Sequence, residues 1–270
     1  MNNLTNAIIS QRIEVASGLI VLRVKPDGWD LPQWKSGQFG ILGLPVSAQR
    51  IKLSDPEDAQ LKPEKLIKRA YSISSSSQEK DYLEFFITLV HSGALTPRLF
   101  HLQPGDRVFL GQRISGMFTL DQIPKGKNLV FIGTGTGLAP YMSMLRGELD
   151  CDPDRQTAVL LGARHSWDLG YRGELIAMQR FCSTFHYLPV ISRPAEEIVS
   201  WSGQTGYVQG LWDSDNFSST WGGRPSPENT HIMLCGNPGM IEGMLETLTA
   251  AGFTEHSRKN PGQIHVEKYW

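Results

Sequence analysis

The chain has 270 residues, 40% hydrophobic and 20% charged, with a formal net charge of −1, the profile of a globular protein with material for two cores. Residues 1–121 carry 14 Lys/Arg against 12 Asp/Glu, and residues 122–270 carry 12 against 15, an asymmetry too slight for a nucleic-acid-binding surface. No apolar run approaches bilayer length, and the start lacks the basic and apolar segments of a signal peptide, so a cytoplasmic protein without membrane association is expected.

The first part reads as strands: Ala7–Val15, Leu19–Val24, Gln38–Leu44, Arg69–Ser74, Tyr82–Val90 and Arg107–Leu110. They are short and rich in β-branched residues, and turn signals such as Ser17-Gly18 and Pro26-Asp27-Gly28 separate them, which predicts a small antiparallel barrel. Ser54–Lys68 is polar and suits a surface loop or hairpin, and Thr96–Leu102 suits one short helix. Near Asp121–Gly126 the pattern changes to alternation. Strands Asn128–Ile132, Thr157–Leu161, Tyr187–Ile191 and His231–Cys235 are interleaved with helices Leu138–Leu149, Arg172–Phe181 and Met240–Ala251. Such alternation predicts βαβ units on a parallel sheet. The expected domains are therefore 1–121 and 122–270.

Cys151, Cys182 and Cys235 are widely spaced and match no iron–sulfur pattern, so neither a resident cluster nor a disulfide is expected. The histidines show no metal spacing, and His91, His101 and His165 read as surface or strand residues. Neither G-x-S-x-G nor H-E-x-x-H occurs, which leaves hydrolase chemistry without footing.

Gly133-Thr134-Gly135-Thr136-Gly137-Leu138-Ala139-Pro140 follows an apolar strand and precedes a helix, where glycines let the backbone approach a pyrophosphate. The next strand runs into Gly162-Ala163-Arg164 and carries no acidic residue for a ribose 2′-hydroxyl. An arginine there suits a 2′-phosphate and points to NADP(H). Arg193, after the following strand, stands at the same edge of the sheet.

Four segments in this order resemble the ferredoxin/flavodoxin–NADP reductases: Arg69-Ala70-Tyr71-Ser72, Gly133–Pro140, Cys235-Gly236-Asn237-Pro238 and Glu267-Lys268-Tyr269-Trp270. The aromatic ending is similar to the bacterial branch of that family. The resemblance implies an antiparallel FAD-binding β-barrel followed by a parallel-sheet NADP-binding domain. It implies that Arg69 pairs with the FAD pyrophosphate, that Tyr71 packs on the isoalloxazine, and that Ser72 sits beside its hydride-accepting nitrogen. Gly93-Ala94-Leu95-Thr96 is similar to the family's second phosphate-binding segment.

On the nucleotide side the resemblance implies roles for Thr134, Thr136, Gly137, Ala163, Arg164, Ser192 and Arg193. Gly236, Asn237 and Pro238 would shape the nicotinamide pocket. Cys235 and Glu267 would join Ser72 around the transferred hydride. Tyr269 would cover the isoalloxazine and gate the nicotinamide, with Trp270 near the adenine. Bacterial relatives have an arginine after Thr205-Gly206, where this chain has Tyr207. The implied activity is electron transfer between NADP(H) and ferredoxin or flavodoxin through FAD, by a monomer. An acidic carrier would dock near Lys25, Lys35, Arg50 and Lys52. A reductase of free flavin or of an oxygenase component is the alternative within enzymes, and a non-catalytic flavin-binding module is the alternative outside them.

Overall fold

The structure is a computed structural model that describes residues 4–57 and 65–268. The chain divides into two compact units. Unit 1 comprises residues 1–119 with Ala139–Glu148; unit 2 comprises Leu120–Leu138 and Leu149–Trp270.

Unit 1 contains β1 (Ala7–Ala16), β2 (Leu19–Pro26), β3 (Phe39–Pro45), β4 (Leu66–Ser72), β5 (Leu83–Thr88), helix α1 (Thr96–Leu99) and β6 (Arg107–Leu110). The strands form one antiparallel sheet in the order β4-β3-β6-β1-β2-β5. A bridge between Ile73 and Phe85 draws the two edges together into a barrel. Its core is the inward alternation of Ile20, Leu22, Val24, Leu42, Phe85 and Leu110, as the period-2 pattern requires. In β3, Gly40 lies opposite Tyr71 of β4. A Cβ at Gly40 would come within 3.2 Å of the Phe85 ring, so glycine gives that ring its place.

Helix α2 (Ala139–Glu148) follows the glycine loop in sequence yet belongs to unit 1. One tie is a buried carboxylate. Glu84 is 2% exposed and lies between two guanidinium groups, Arg23 Nε at 2.8 Å and Arg146 Nη1 of α2 at 2.7 Å. Arg146 also donates to the Ser74 carbonyl at 2.8 Å. A buried charge is tolerated only when paired in this way.

Unit 2 contains β7 (Asn128–Thr134), β8 (Thr157–Ala163), α3 (Arg172–Phe181), β9 (Phe185–Ile191), β10 (Gln204–Thr205), α4 (Val208–Trp212), α5 (Asp215–Trp221), β11 (Thr230–Cys235), α6 (Pro238–Ala250) and β12 (Ile264–Glu267). Its sheet is wholly parallel, in the order β10-β9-β8-β7-β11-β12. The strands are continuous apolar runs because both faces are covered. One face packs Val130, Ile132, Leu160 and Val190 against Trp212, Phe217, Met244 and Leu248. Among the described residues no helix is long and apolar enough to cross a membrane.

Contrary to the expectation from spacing, Cys151 and Cys182 form a disulfide, with Cα atoms 5.3 Å apart. The segment after α2 and the C-terminal end of α3 converge in space, which a separation of 31 residues hides. Cys235 is buried and outside any disulfide.

Candidate functional site

The carboxyl ends of β7, β8, β9 and β11 gather the nucleotide-side candidates along one edge of the parallel sheet, where α/β folds place their ligands. The centre of that edge is built by backbone contact. A Cβ at Gly137 would run into the Cys235 carbonyl, and one at Gly236 would reach Thr134 Oγ1 and lie 2.7 Å from its backbone nitrogen. Gly236 also has φ +146°, a conformation in which side chains are strained. Asn237 N donates to Thr134 Oγ1 at 2.9 Å and locks the two segments together. The Asn237 side chain accepts from Gly239 N at 2.9 Å, capping α6 ahead of Pro238 at its first turn. The result is a tight backbone junction between the glycine-rich turn and the start of α6, with Gly135 open to solvent at its rim, a turn of the kind that can receive a dinucleotide's phosphates. Thr136 is half-buried in the same turn.

Register brings the implied hydride residues of unit 2 together. Glu267 of β12 pairs with Cys235 of β11, and the Cys235 thiol donates to Glu267 Oε2 at 3.4 Å. The four-residue strand β12 carries little signal of its own in the sequence, and it is what makes this pair.

At the next strand ends the segments 163–168 and 192–197 are tied together. Ser192 N and Arg193 N donate to the carbonyls of Ala163 and Arg164 at 3.0 and 2.9 Å. Ser166 donates through its backbone and hydroxyl to Glu197 at 2.7 and 2.6 Å. Arg164 is exposed and has no ion-pair partner among the described residues. Arg193 is engaged, with Glu196 Oε1 and Oε2 each 3.5 Å from Nη1. His165, read from sequence as an ordinary surface residue, grips Glu196 through Nε2 at 2.8 Å and Asp168 through Nδ1 at 3.1 Å. The Glu196 hydrogen bond is the main reason the His165 pKa is raised, and the same bond holds Glu196 below the usual carboxylate range. Tyr207 is 72% exposed where α4 begins.

In unit 1, Arg69, Ala70, Tyr71 and Ser72 lie on the edge strand β4. Arg69 is exposed, with one nitrogen donating to the Lys68 carbonyl at 2.8 Å. A charged fork in that position fits a phosphate. Tyr71 is packed against the core, and burial raises its phenol pKa. The segment Gly93–Thr96 is clipped shut: Thr96 Oγ1 accepts from Val90 N at 3.0 Å and donates to Val90 O at 3.1 Å. Below it, Arg98 is 2% exposed and meets Glu57 in a two-pronged ion pair at 2.9 and 2.6 Å. Leu95 is buried at the start of α1.

One expectation is corrected. Lys25, Lys35 and Lys52 are exposed, but Arg50 points inward toward the carbonyls of His91 and Gly93, at 3.4 and 3.5 Å. It supports the Gly93 loop and is no surface cation for a carrier. Tyr269 and Trp270 lie outside the described residues. Among the described residues no cluster of His, Cys, Asp or Glu could hold a metal.

The barrel carries an exposed arginine on its edge strand, and the parallel sheet carries a glycine-rich turn at its strand ends. Residues 38–112 match the Oxidoreductase FAD-binding domain family and residues 131–246 the Oxidoreductase NAD-binding domain family. The chain is 32% identical over 237 residues to the flavodoxin/ferredoxin–NADP reductase of Escherichia coli (strain K12), covering 87% of each. It is 29% identical to that of Buchnera aphidicola subsp. Baizongia pistaciae, covering 89% of this chain and 96% of the relative. A ferredoxin NADP+ reductase from Neisseria gonorrhoeae, solved with bound FAD and NADP, superposes with a TM-score of 0.81 at 25% identity over 98% of both chains. The chain belongs to the flavodoxin/ferredoxin–NADP reductase family.

Proposed function

We propose that this chain transfers electrons between NADP(H) and a ferredoxin or flavodoxin, with FAD as the resident cofactor. The observation that carries the reading is the Cys235–Glu267 pair beside the glycine-rich turn. It puts a thiol and a carboxylate at the strand ends where a nicotinamide would lie. FAD, when bound, supplies the conversion between a two-electron hydride and single electrons; the protein supplies position and electrostatics.

Arg69 and the Gly93–Thr96 loop hold the flavin's phosphates in this reading, and Tyr71 packs on its ring. Ser72, by family resemblance, stands by the flavin's hydride-accepting nitrogen, and Cys235 and Glu267 orient the nicotinamide. Glu267 directs the Cys235 thiol by accepting its hydrogen bond. Thr134, Thr136, Gly137 and Gly236–Pro238 receive the nicotinamide nucleotide. Ala163, Arg164, Ser192 and Arg193 face its 2′-phosphate, so NADPH is preferred over NADH. Tyr269 and Trp270, by family resemblance, cover the flavin until the nicotinamide displaces the tyrosine.

The carrier is an acidic partner bound transiently, and the protein acts as a cytoplasmic monomer. Anaerobic mixing with NADPH, followed by reoxidation against a panel of ferredoxins and flavodoxins, tests the reading. The flavin absorbance should bleach with NADPH and return with at least one carrier. Purified protein that is colourless and takes up no FAD would sink it.

A further inference from the structure

We infer that Glu196 is a built-in competitor of the nucleotide 2′-phosphate, held partly off Arg193 by His165, so that the His165–Glu196 contact sets how strongly the phosphate is discriminated. The inference rests on the reading of Arg193 as a 2′-phosphate ligand.

Each nitrogen of the His165 ring faces a carboxylate oxygen: Nδ1 faces Asp168 at 3.1 Å and Nε2 faces Glu196 at 2.8 Å. A carboxylate only accepts, so hydrogen bonds from both nitrogens at once require the doubly protonated ring, the form these two neighbours favour. Its side chain is 14% exposed and it stacks on Trp167 with ring centres 4.5 Å apart and planes 10° from parallel, which fixes where the two protons point. Glu196 is thus shared between two cations. The shorter and stronger contact goes to His165, and the longer one, 3.5 Å from both oxygens, goes to Arg193.

The neighbouring Glu197 is tied down by two hydrogen bonds from Ser166. Glu196 therefore cannot drift away with a loose loop; it stays within reach of Arg193. An arriving phosphate must take Arg193 from a carboxylate already present. Removing the negative charge should favour the phosphate. Removing His165 should release Glu196 to pair fully with Arg193 and disfavour it. A role confined to holding the loop in shape would make both changes act in the same direction.

The test is calorimetric titration of the FAD-loaded protein with 2′,5′-ADP and, as the control lacking the 2′-phosphate, 5′-AMP. Four variants are compared with the unaltered chain: Glu196→Gln, His165→Phe, which keeps the ring stack on Trp167, Arg193→Ala, and Arg193→Ala with Glu196→Gln. Glu196→Gln should tighten 2′,5′-ADP by about 2- to 5-fold, the range of an exposed ion pair, and leave 5′-AMP unchanged. His165→Phe should weaken 2′,5′-ADP by a similar factor. In the Arg193→Ala background the gain from Glu196→Gln should shrink below about 2-fold. If Arg193→Ala weakens 2′,5′-ADP but Glu196→Gln leaves it unchanged or weaker, the competitor role is wrong while the phosphate site stands. If Arg193→Ala leaves 2′,5′-ADP binding unchanged, Arg193 is no phosphate ligand, and the inference falls with that reading.

Discussion

In unit 1 the groups read as holding the flavin are side chains standing on ordinary ladder. Arg69 projects from an edge strand whose backbone pairs regularly with β3. In unit 2 the corresponding surface is backbone against backbone: Gly137 lies under the Cys235 carbonyl and Gly236 under Thr134. A ligand-holding side chain can be removed without disturbing the strand behind it. A ligand-holding backbone cannot be changed without disturbing the fold that shapes it. Stability and binding should therefore separate in unit 1 and travel together in unit 2.

The sharpest way to strain that contrast is to attack the interior of unit 1. Glu84→Ala leaves the Arg23 and Arg146 guanidiniums facing each other across an emptied buried site, and should cost about 3–5 kcal/mol. Denaturant unfolding should register the loss while the groups read as flavin ligands stay intact. Gly137→Ala should cost about 3 kcal/mol, because the atom it meets is a carbonyl that cannot rotate away, and should weaken NADP+ binding in the same protein. A variant that unfolds earlier yet binds NADP+ normally would break the comparison. Arg69→Ala is the converse. FAD affinity should fall by about 1.5–3 kcal/mol, with the unfolding midpoint of the flavin-free protein within about 0.5 kcal/mol of the unaltered chain.

The smallest effect concerns pH and belongs to unit 2. His265 of β12 meets His231 at 3.1 Å and stacks on His256 with ring centres 4.5 Å apart. Burial, then the charges of those two neighbours, lowers its pKa to about 4. The ordinary value is about 6.5, so between those limits the unfolded chain takes up the proton first. Stability from the neutral ring is complete above pH 6.5 and is lost progressively as pH falls toward 4. His265→Phe should flatten that part of the stability–pH curve.

The sequence displayed what repetition and punctuation encode. The six barrel strands and the alternation after residue 121 could be read because each run is long enough for period and turn signals to show. The glycine loop and the arginines after β8 and β9 could be read because their chemistry is local. What escaped depended on distance. β12 is four residues long, and only pairing with β11 makes it a strand. Helices α4 and α5 run together through a stretch rich in Trp, Ser and Gly without a clean apolar stripe. One tie of α2 to unit 1 runs from Arg146 to a carboxylate 62 residues away. The part played by His165 required knowing that Glu196 lies across from it, and the Cys151–Cys182 bond required knowing that two loop ends meet.

That bond also changes what the chain can do under tension. It closes a loop of about 30 residues that contains all of β8 and α3. A molecule stretched between its ends, even when fully unravelled, would keep this segment as a closed ring. Its extended length would fall short of the reduced chain's by roughly 100 Å, taking about 3.5 Å per residue. An optical trap can therefore report the state of the two sulfurs by length alone, with no chemical label. The missing length would also show that β8, α3 and the Arg164 turn between them are the part of unit 2 that force cannot draw out.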